Sequence, residues 1–273
     1  MNSNRFLLII LILITSFLLL GISKNKSNKT GFIGDSNKAG PISESYKGEV
    51  PEIYIEDPEN IVVIIYSHGN GDPTEFENCS AWWNDVPDSL KDLTIKKEIL
   101  VFYLCSSATD KHFKPGLWVF DRVIEIEEIL DKLILVGVKP NNIFLSGHSA
   151  GAWSSLLSME RVGLKFNSAI IFAPACCGPR YERHPIWRGR VRPLHVHKML
   201  GMDRIEALIF AYSDDPYNRP EDLMFLKDSY LDSIEIIGYN CGQEHLTHLK
   251  DCRLEETKEK IIDYIRYRQL GNR

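Results

Sequence analysis

Residues 142–157 read NIFLSGHSAGAWSSLL. Inside them Gly147, His148, Ser149, Ala150 and Gly151 spell G-x-S-x-G. Five such letters decide little by themselves, so the flanks carry the inference. NIFLSG is a short apolar run of the kind that forms a buried strand. SAGAWSSLLSMERVG continues as a helix that stops near Gly163. A serine between a buried strand and a helix sits on a sharp turn, with its hydroxyl above the carboxyl edge of a sheet. Glycine at 147 and 151 removes side chains that would collide with neighbouring backbone there. The first amide of the following helix, at Ala150, points the same way as the hydroxyl and can receive a developing oxyanion.

Outward from this turn, apolar runs alternate with helical patterns. NIVVIIYS (60–67) and EILVFYLCS (98–106) read as further buried strands, and NSAIIFAPA (167–175), EALIFAYS (206–213) and SIEIIGYN (233–240) as three more strands. WVFDRVIEIEEILDKLILVGV (118–138) has apolar residues at helical spacing, with Gly137 and Pro140 as stop signals. LEETKEKIIDYIRYRQL (254–270) is an amphipathic closing helix. Alternating strands and helices predict an α/β fold, a mostly parallel sheet with helices on both faces. No internal repeat is present. One domain over residues 46–273 accounts for the pattern, and a core of useful size fits that length.

A serine hydroxyl becomes a nucleophile when a histidine takes its proton and a carboxylate orients that histidine. AYSDDPYNRP places Asp214 and Asp215 after the strand at 206–213. CGQEHLTHLKDC places His245 and His248 after the last strand. The chain order is therefore serine, aspartate, histidine, each after a separate strand. YSHGNG, after the strand at 60–67, offers glycines that let backbone approach a reacting carbonyl, with the Asn70 amide as a second oxyanion donor.

These residues carry a resemblance. SHGNG, GVKPNNIFLSGHSAG, DDPY and GQEH together resemble the α/β-hydrolase superfamily, over residues 48 to 270. The resemblance implies an α/β-hydrolase fold and a serine hydrolase with Ser149 as nucleophile. The Asp-Pro-Tyr sequence looks like the acid loop of some dienelactone-hydrolase-like and esterase-like members. That likeness favours Asp215 as the acid, with Asp214 as runner-up. The family's histidine often follows a glycine closely, which favours His245 over His248. The family's first antiparallel strands are hard to find, and only PEIYIED (51–57) is a candidate. The resemblance implies a carboxylic-ester hydrolase with a small-molecule acyl substrate. A peptidase, thioesterase or lipid acyl hydrolase would use the same machinery, and a binding protein could keep the scaffold without catalysis. The chemistry needs no cofactor.

Other features have blander readings. His68 belongs to its loop as a packing or hydrogen-bonding residue, and His148 is the variable position of the turn. His245 and His248, and the pair His195 and His197, have spacings that could suit a metal, but no third ligand is evident and no metal is expected. Trp82, Trp83, Trp118 and Trp153 are candidates for an acyl pocket, although core packing is the commoner fate of tryptophan. Residues 176–205 hold Arg180, Arg183, Arg188, Arg190, Arg192, Lys198 and Arg204 against Glu182 and Asp203. This insertion is a candidate cap that could attract anionic groups, or a solvated surface paired with acidic neighbours.

The chain has 273 residues, of which 44% are hydrophobic, so it is globular. A net charge of −5 argues against a nucleic-acid partner. Arg5 precedes the apolar run FLLIILILITSFLLLGI (6–22). Such a run reads as a signal peptide over residues 1–23, or as an uncleaved anchor that would associate the protein with a membrane. Lysine-rich residues 24–45 read as a flexible linker. The catalytic domain is then expected outside the cytoplasm. There the six cysteines are free to pair, and Cys241 with Cys252 is the first candidate bridge.

Overall fold

The structure is a computed structural model that describes residues 30–33, 53–70, 79, 81–96, 98–108, 116–176, 187–242, 244–249 and 252–271. Among the described residues seven strands form one sheet: β1 (Gly31–Ile33), β2 (Val62–Ser67), β3 (Ile99–Leu104), β4 (Ile143–His148), β5 (Ser168–Phe172), β6 (Ala207–Tyr212) and β7 (Ile234–Tyr239). Their spatial order is β1-β3-β2-β4-β5-β6-β7. All neighbours run parallel except β1, which pairs antiparallel with β3.

The helices are α1 (Asp88–Lys91), α2 (Val119–Leu135), α3 (Ala150–Val162), α4 (Arg192–Leu200), α5 (Met224–Ser229) and α6 (Leu254–Leu270). Strand side chains alternate between two buried layers, as the two-residue pleat requires. Val63, Ile65, Leu100, Phe102, Leu145 and Ile171 pack with Ile126, Leu130, Trp153, Leu156 and Met199 of α2, α3 and α4. Ile64, Val101, Tyr103, Phe144, Phe172 and Phe210 pack with Leu90 of α1 and with Ile261 and Ile265 of α6. Both faces are thus covered, which explains why the central strands read as continuous apolar runs rather than as alternating ones.

The antiparallel edge differs from the sequence expectation. Among its described residues, 53–57, PEIYIED contributes a single bridged residue, Ile55. The edge strand is β1, inside the stretch read as linker, so the sheet begins before residue 46. Phe32 meets Phe102 edge-on at 5.2 Å between ring centres, and the Cys105 amide donates to Thr30 Oγ1 at 3.1 Å. Three residues with one aromatic are too weak a pattern to stand out in a polar, lysine-rich stretch.

In the described second half of the basic segment α4 connects β5 to β6, with His195 and Met199 buried in the helix and Val191 buried just before it. Lys198 pairs with Glu160 at 3.1 Å and Arg204 with Glu206. Arg180 and Arg183 lie outside the described residues. So do residues 6–22, on which the signal or anchor expectation rests. Among the described residues no helix is long and apolar enough to cross a membrane.

If β1 covers the β3 edge as drawn, a chain trimmed to begin at residue 34 should be less stable than one beginning at residue 24. The expected loss is about 1–2 kcal/mol in urea unfolding. Equal unfolding midpoints and slopes would show that β1 contributes nothing.

Candidate active site

Four loops converge at the carboxyl edge of the sheet, after β2, β4, β6 and β7. The direction of chain crossover reverses between β2 and β4, since β3 lies to one side of β2 and β5 to the other side of β4. Open α/β sheets place their clefts at such a switch point.

Ser149 occupies the turn between β4 and α3 with φ 54° and ψ −119°. Positive φ is costly for a residue with a side chain, and it persists where surrounding contacts enforce it. The enforcing contacts are backbone bonds. Ser149 N donates to Phe172 O at 3.2 Å, and Ser149 O accepts from Trp153 N at 2.9 Å and Ala175 N at 3.1 Å. The flanking glycines are required by proximity. A Cβ on Gly147 would lie 2.6 Å from Gly151 C and 2.7 Å from Ser67 O. One on Gly151 would collide with Ser67 O and lie 2.5 Å from His68 O. The β2 loop therefore touches the first turn of α3. Gly69 in that loop comes so close that a Cβ there would meet Ser149 Cβ at 3.4 Å and His148 Nδ1 at 3.1 Å.

Asp215 is fully buried after β6. Its Oδ1 accepts from Tyr217 N at 2.7 Å. Its Oδ2 is 2.7 Å from His245 Nδ1. A carboxylate accepts there, so Nδ1 carries the proton and Nε2 is left as the basic nitrogen. His245 Nε2 is buried and has no hydrogen-bond partner among the described residues, so no bond to Ser149 Oγ is formed in this structure. His245 nevertheless lies against the turn. Its ring centre is 4.6 Å from that of His148 and 4.3 Å from that of Tyr217.

The runners-up have other places. Asp214 Oδ2 accepts from Glu244 N at 2.8 Å, so Asp214 holds the backbone of the histidine loop rather than the ring. His248 stacks on His148 with ring centres 3.5 Å apart. The His148 ring donates through Nε2 to His245 O at 2.9 Å. Asn70 is exposed at the end of the β2 loop, and Ala150 is buried at the first position of α3.

Sequence reasoning missed His148 as a contact of the histidine loop, Tyr217 as a support of Asp215, and Arg122 of α2. Arg122 Nη1 donates to His68 O at 2.5 Å and Nη2 to Ala108 O at 2.9 Å. A signal for Arg122 was available. It lies three residues after Val119 and four before Ile126, on the apolar stripe of α2, where a charge needs a reason. The tryptophans divide: Trp118 and Trp153 are core residues, whereas Trp82 and Trp83 are 61% and 41% exposed. Trp153 Nε1 donates to His195 Nδ1 at 3.1 Å, which gives the first histidine of that pair a structural role. Among the described residues no group of three His, Cys, Asp or Glu side chains could hold a metal.

Two disulfides brace the loops. Cys241–Cys252 closes the loop that carries His245, as the sequence suggested, with Cα atoms 6.1 Å apart. Cys79–Cys105 joins the segment before α1 to the end of β3, with Cα atoms 5.5 Å apart. Cys176 is also disulfide-bonded, and Cys177 lies outside the described residues.

With this geometry in hand, comparison with known proteins adds the fold. No family model and no curated protein matches the chain. Solved structures do. One is a thermophilic esterase from the Planctomycetes species Thermogutta terrifontis with propionate bound, at 16% identity and TM-score 0.54, covering 81% of this chain and 86% of that one. The same organism's esterase 2 phosphoramylated by tabun gives 14% identity and TM-score 0.57, covering 85% and 95%. Its butyrate-bound form gives 13% identity and TM-score 0.54, covering 89% and 94%. The sheet order and these likenesses define the class: the chain has the α/β-hydrolase fold.

Burial keeps several histidines neutral. His68 falls to about 3, chiefly by desolvation and then by the charge of Arg122. His195 falls to about 4 by desolvation and then Lys198. His148 and His248 are likewise pushed well down, first by burial and then by neighbouring histidines. Because the folded values lie below the unfolded one near 6.5, the stability linked to these groups is complete above that pH and is lost as pH falls toward the folded values. Urea unfolding should therefore show a steep loss of stability between about pH 6.5 and 4. His195→Gln, which removes one such group, should flatten the slope by about 1.4 kcal/mol per pH unit. An unchanged slope would show that His195 is not protonated on unfolding.

Proposed function

We propose that the protein is a serine hydrolase of carboxylic esters. The observation that supports it most is the 2.7 Å pair of His245 with fully buried Asp215, next to the strained strand-to-helix turn that carries Ser149. The fold-level likeness to an esterase seen with propionate, and with tabun and sarin adducts, agrees with this reading. Ser149 Oγ attacks the acyl carbon and its proton passes to His245 Nε2. Asp215 holds the imidazole in the tautomer that leaves Nε2 basic and stabilises the imidazolium that forms. The amides of Ala150 and Asn70 receive the oxyanion. His245 then donates the proton to the leaving alcohol oxygen, and an acyl-enzyme on Ser149 remains. Water gives a proton to His245 and attacks the acyl carbon, the bond to Ser149 Oγ breaks, and His245 returns the proton to that oxygen as the acid leaves. The gap between Nε2 and Ser149 Oγ in the free protein closes when substrate occupies the cleft, since catalytic hydrogen bonds commonly tighten only in the complex.

We also propose that the domain works outside the cytoplasm. The bridges Cys79–Cys105 and Cys241–Cys252 support an oxidising compartment, and residues 6–22 supply a route for export.

A fluorophosphonate probe tests the first proposal. The parent protein should label at Ser149 and Ser149→Ala should not. His245→Ala should lower kcat on short-chain p-nitrophenyl esters on the order of 10⁴-fold. A folded parent that neither labels nor hydrolyses esters, thioesters or peptides would leave the scaffold as a binding protein and overturn the hydrolase reading.

A further inference from the structure

The loop after β2 turns two consecutive carbonyls in one direction. His68 O accepts from Arg122 Nη1 at 2.5 Å. Gly69 O accepts from His68 Nδ1 at 2.7 Å and lies 3.5 Å from the same Arg122 Nη1. Ser106 N donates to His68 Nε2 at 3.1 Å, which fixes the tautomer with the proton on Nδ1. Arg122 itself is fully buried, stacked 5.0 Å from the Trp118 ring centre, with Nη2 on Ala108 O at 2.9 Å.

Peptide units here are trans and planar, so each carbonyl opposes the N–H of the next residue. Holding His68 O and Gly69 O on the arginine side therefore sends the N–H groups of Gly69 and Asn70 the other way. Neither of these amides, nor that of Ala150, donates to any acceptor among the described residues. Ser149 Cβ lies beside Gly69. We infer that Arg122 is the positioning residue of the oxyanion hole: its guanidinium fixes the β2 loop with amides available to the substrate and carbonyls turned away. The inference rests on the ester-hydrolase reading of the site.

The choice of residue fits this role. A guanidinium presents several donors in a rigid plane and can hold carbonyls of two separate loops at once. Burying it costs several kcal/mol unless hydrogen bonds and a counter-charge offset the desolvation. Glu125, one turn along α2, supplies that counter-charge at a distance, while its Oε1 accepts from Ser107 N at 3.0 Å and from Ser107 Oγ at 2.5 Å. An apolar side chain would fill the same core space without that cost. It would leave the His68 and Gly69 carbonyls without a donor that also reaches Ala108. A free loop could then rotate a peptide and present a carbonyl where the oxyanion must sit, which would repel it.

The test uses the full-length protein and the variants Arg122→Met and Arg122→Lys, with sites counted by fluorophosphonate titration. Per titrated site, Arg122→Met should lose about 10–100-fold in kcat with KM changed less than about threefold, since an oxyanion contact acts on the transition state. Arg122→Lys keeps one donor and should recover part of the loss. A purely structural arginine would lower the number of titrated sites or the melting temperature and leave kcat per site intact, and that result overturns the inference. Should Arg122→Met fail to fold, Arg122→Lys carries the same comparison. Crystal structures of the parent and Arg122→Lys separate the two readings. If the parent proves inert, the hydrolase reading fails. Rotated His68 or Gly69 peptides in the variant would still establish the lock, and unrotated peptides would remove it.

Discussion

Backbone contact between the first turn of α3 and the end of β2 is the constraint on which the site depends. Gly147 and Gly151 leave no room for a side chain between Ser67 O, His68 O and the helix. That closeness forces the sharp turn in which Ser149 adopts φ 54°. It also brings the β2 loop alongside the serine, so the candidate nucleophile and the candidate oxyanion donors are placed by one packing event. The hydrogen bonds of Ser149 to Phe172, Trp153 and Ala175 then hold the strained residue from β5 and α3 together.

Behind this contact the protein buries charge and titratable groups that a stability-driven core would omit. Arg122 is pulled down to about 10 by burial and so remains a cation at neutral pH. His68 stays neutral beside it and bridges Gly69 O to Ser106 N. On the other flank, neutral His148 reaches the backbone of His245, and His248 stacks beneath. Each polar group fixes a loop backbone at the end of a strand. Disulfides constrain neighbouring chain as well: Cys241–Cys252 limits the chain around His245, and Cys79–Cys105 ties the segment before α1 to the end of β3.

Much of this was legible in the chain. Strands announce themselves as apolar runs of five or six residues, and β2 through β7 match the stretches read from the sequence, except that β4 runs on to His148. The G-x-S-x-G turn was legible because its glycines answer a steric demand at fixed spacing. The Cys241–Cys252 bridge was legible because both cysteines flank one loop. The edge strand β1 was not, since three residues paired at a sheet edge carry no periodicity. The crossover helix α4 was masked by the arginines that lead into it, Arg188, Arg190 and Arg192, although His195 and Met199 face the core.

The amino-acid sequence by itself determined the fold class, the order serine–aspartate–histidine, and the turn that holds Ser149, because each follows from local spacing and burial. Which aspartate meets which histidine was decided only by the tertiary structure. Asp214 and Asp215 are adjacent in sequence, yet the chain leaving β6 sends one to the Glu244 amide and the other to the His245 ring. His245 and His248 separate in the same way, one toward Asp215 and one onto His148. Arg122 belongs to the second kind as well. Its partners His68 and Ala108 lie on loops after two different strands, and only the packed sheet brings both carbonyls within reach of one guanidinium.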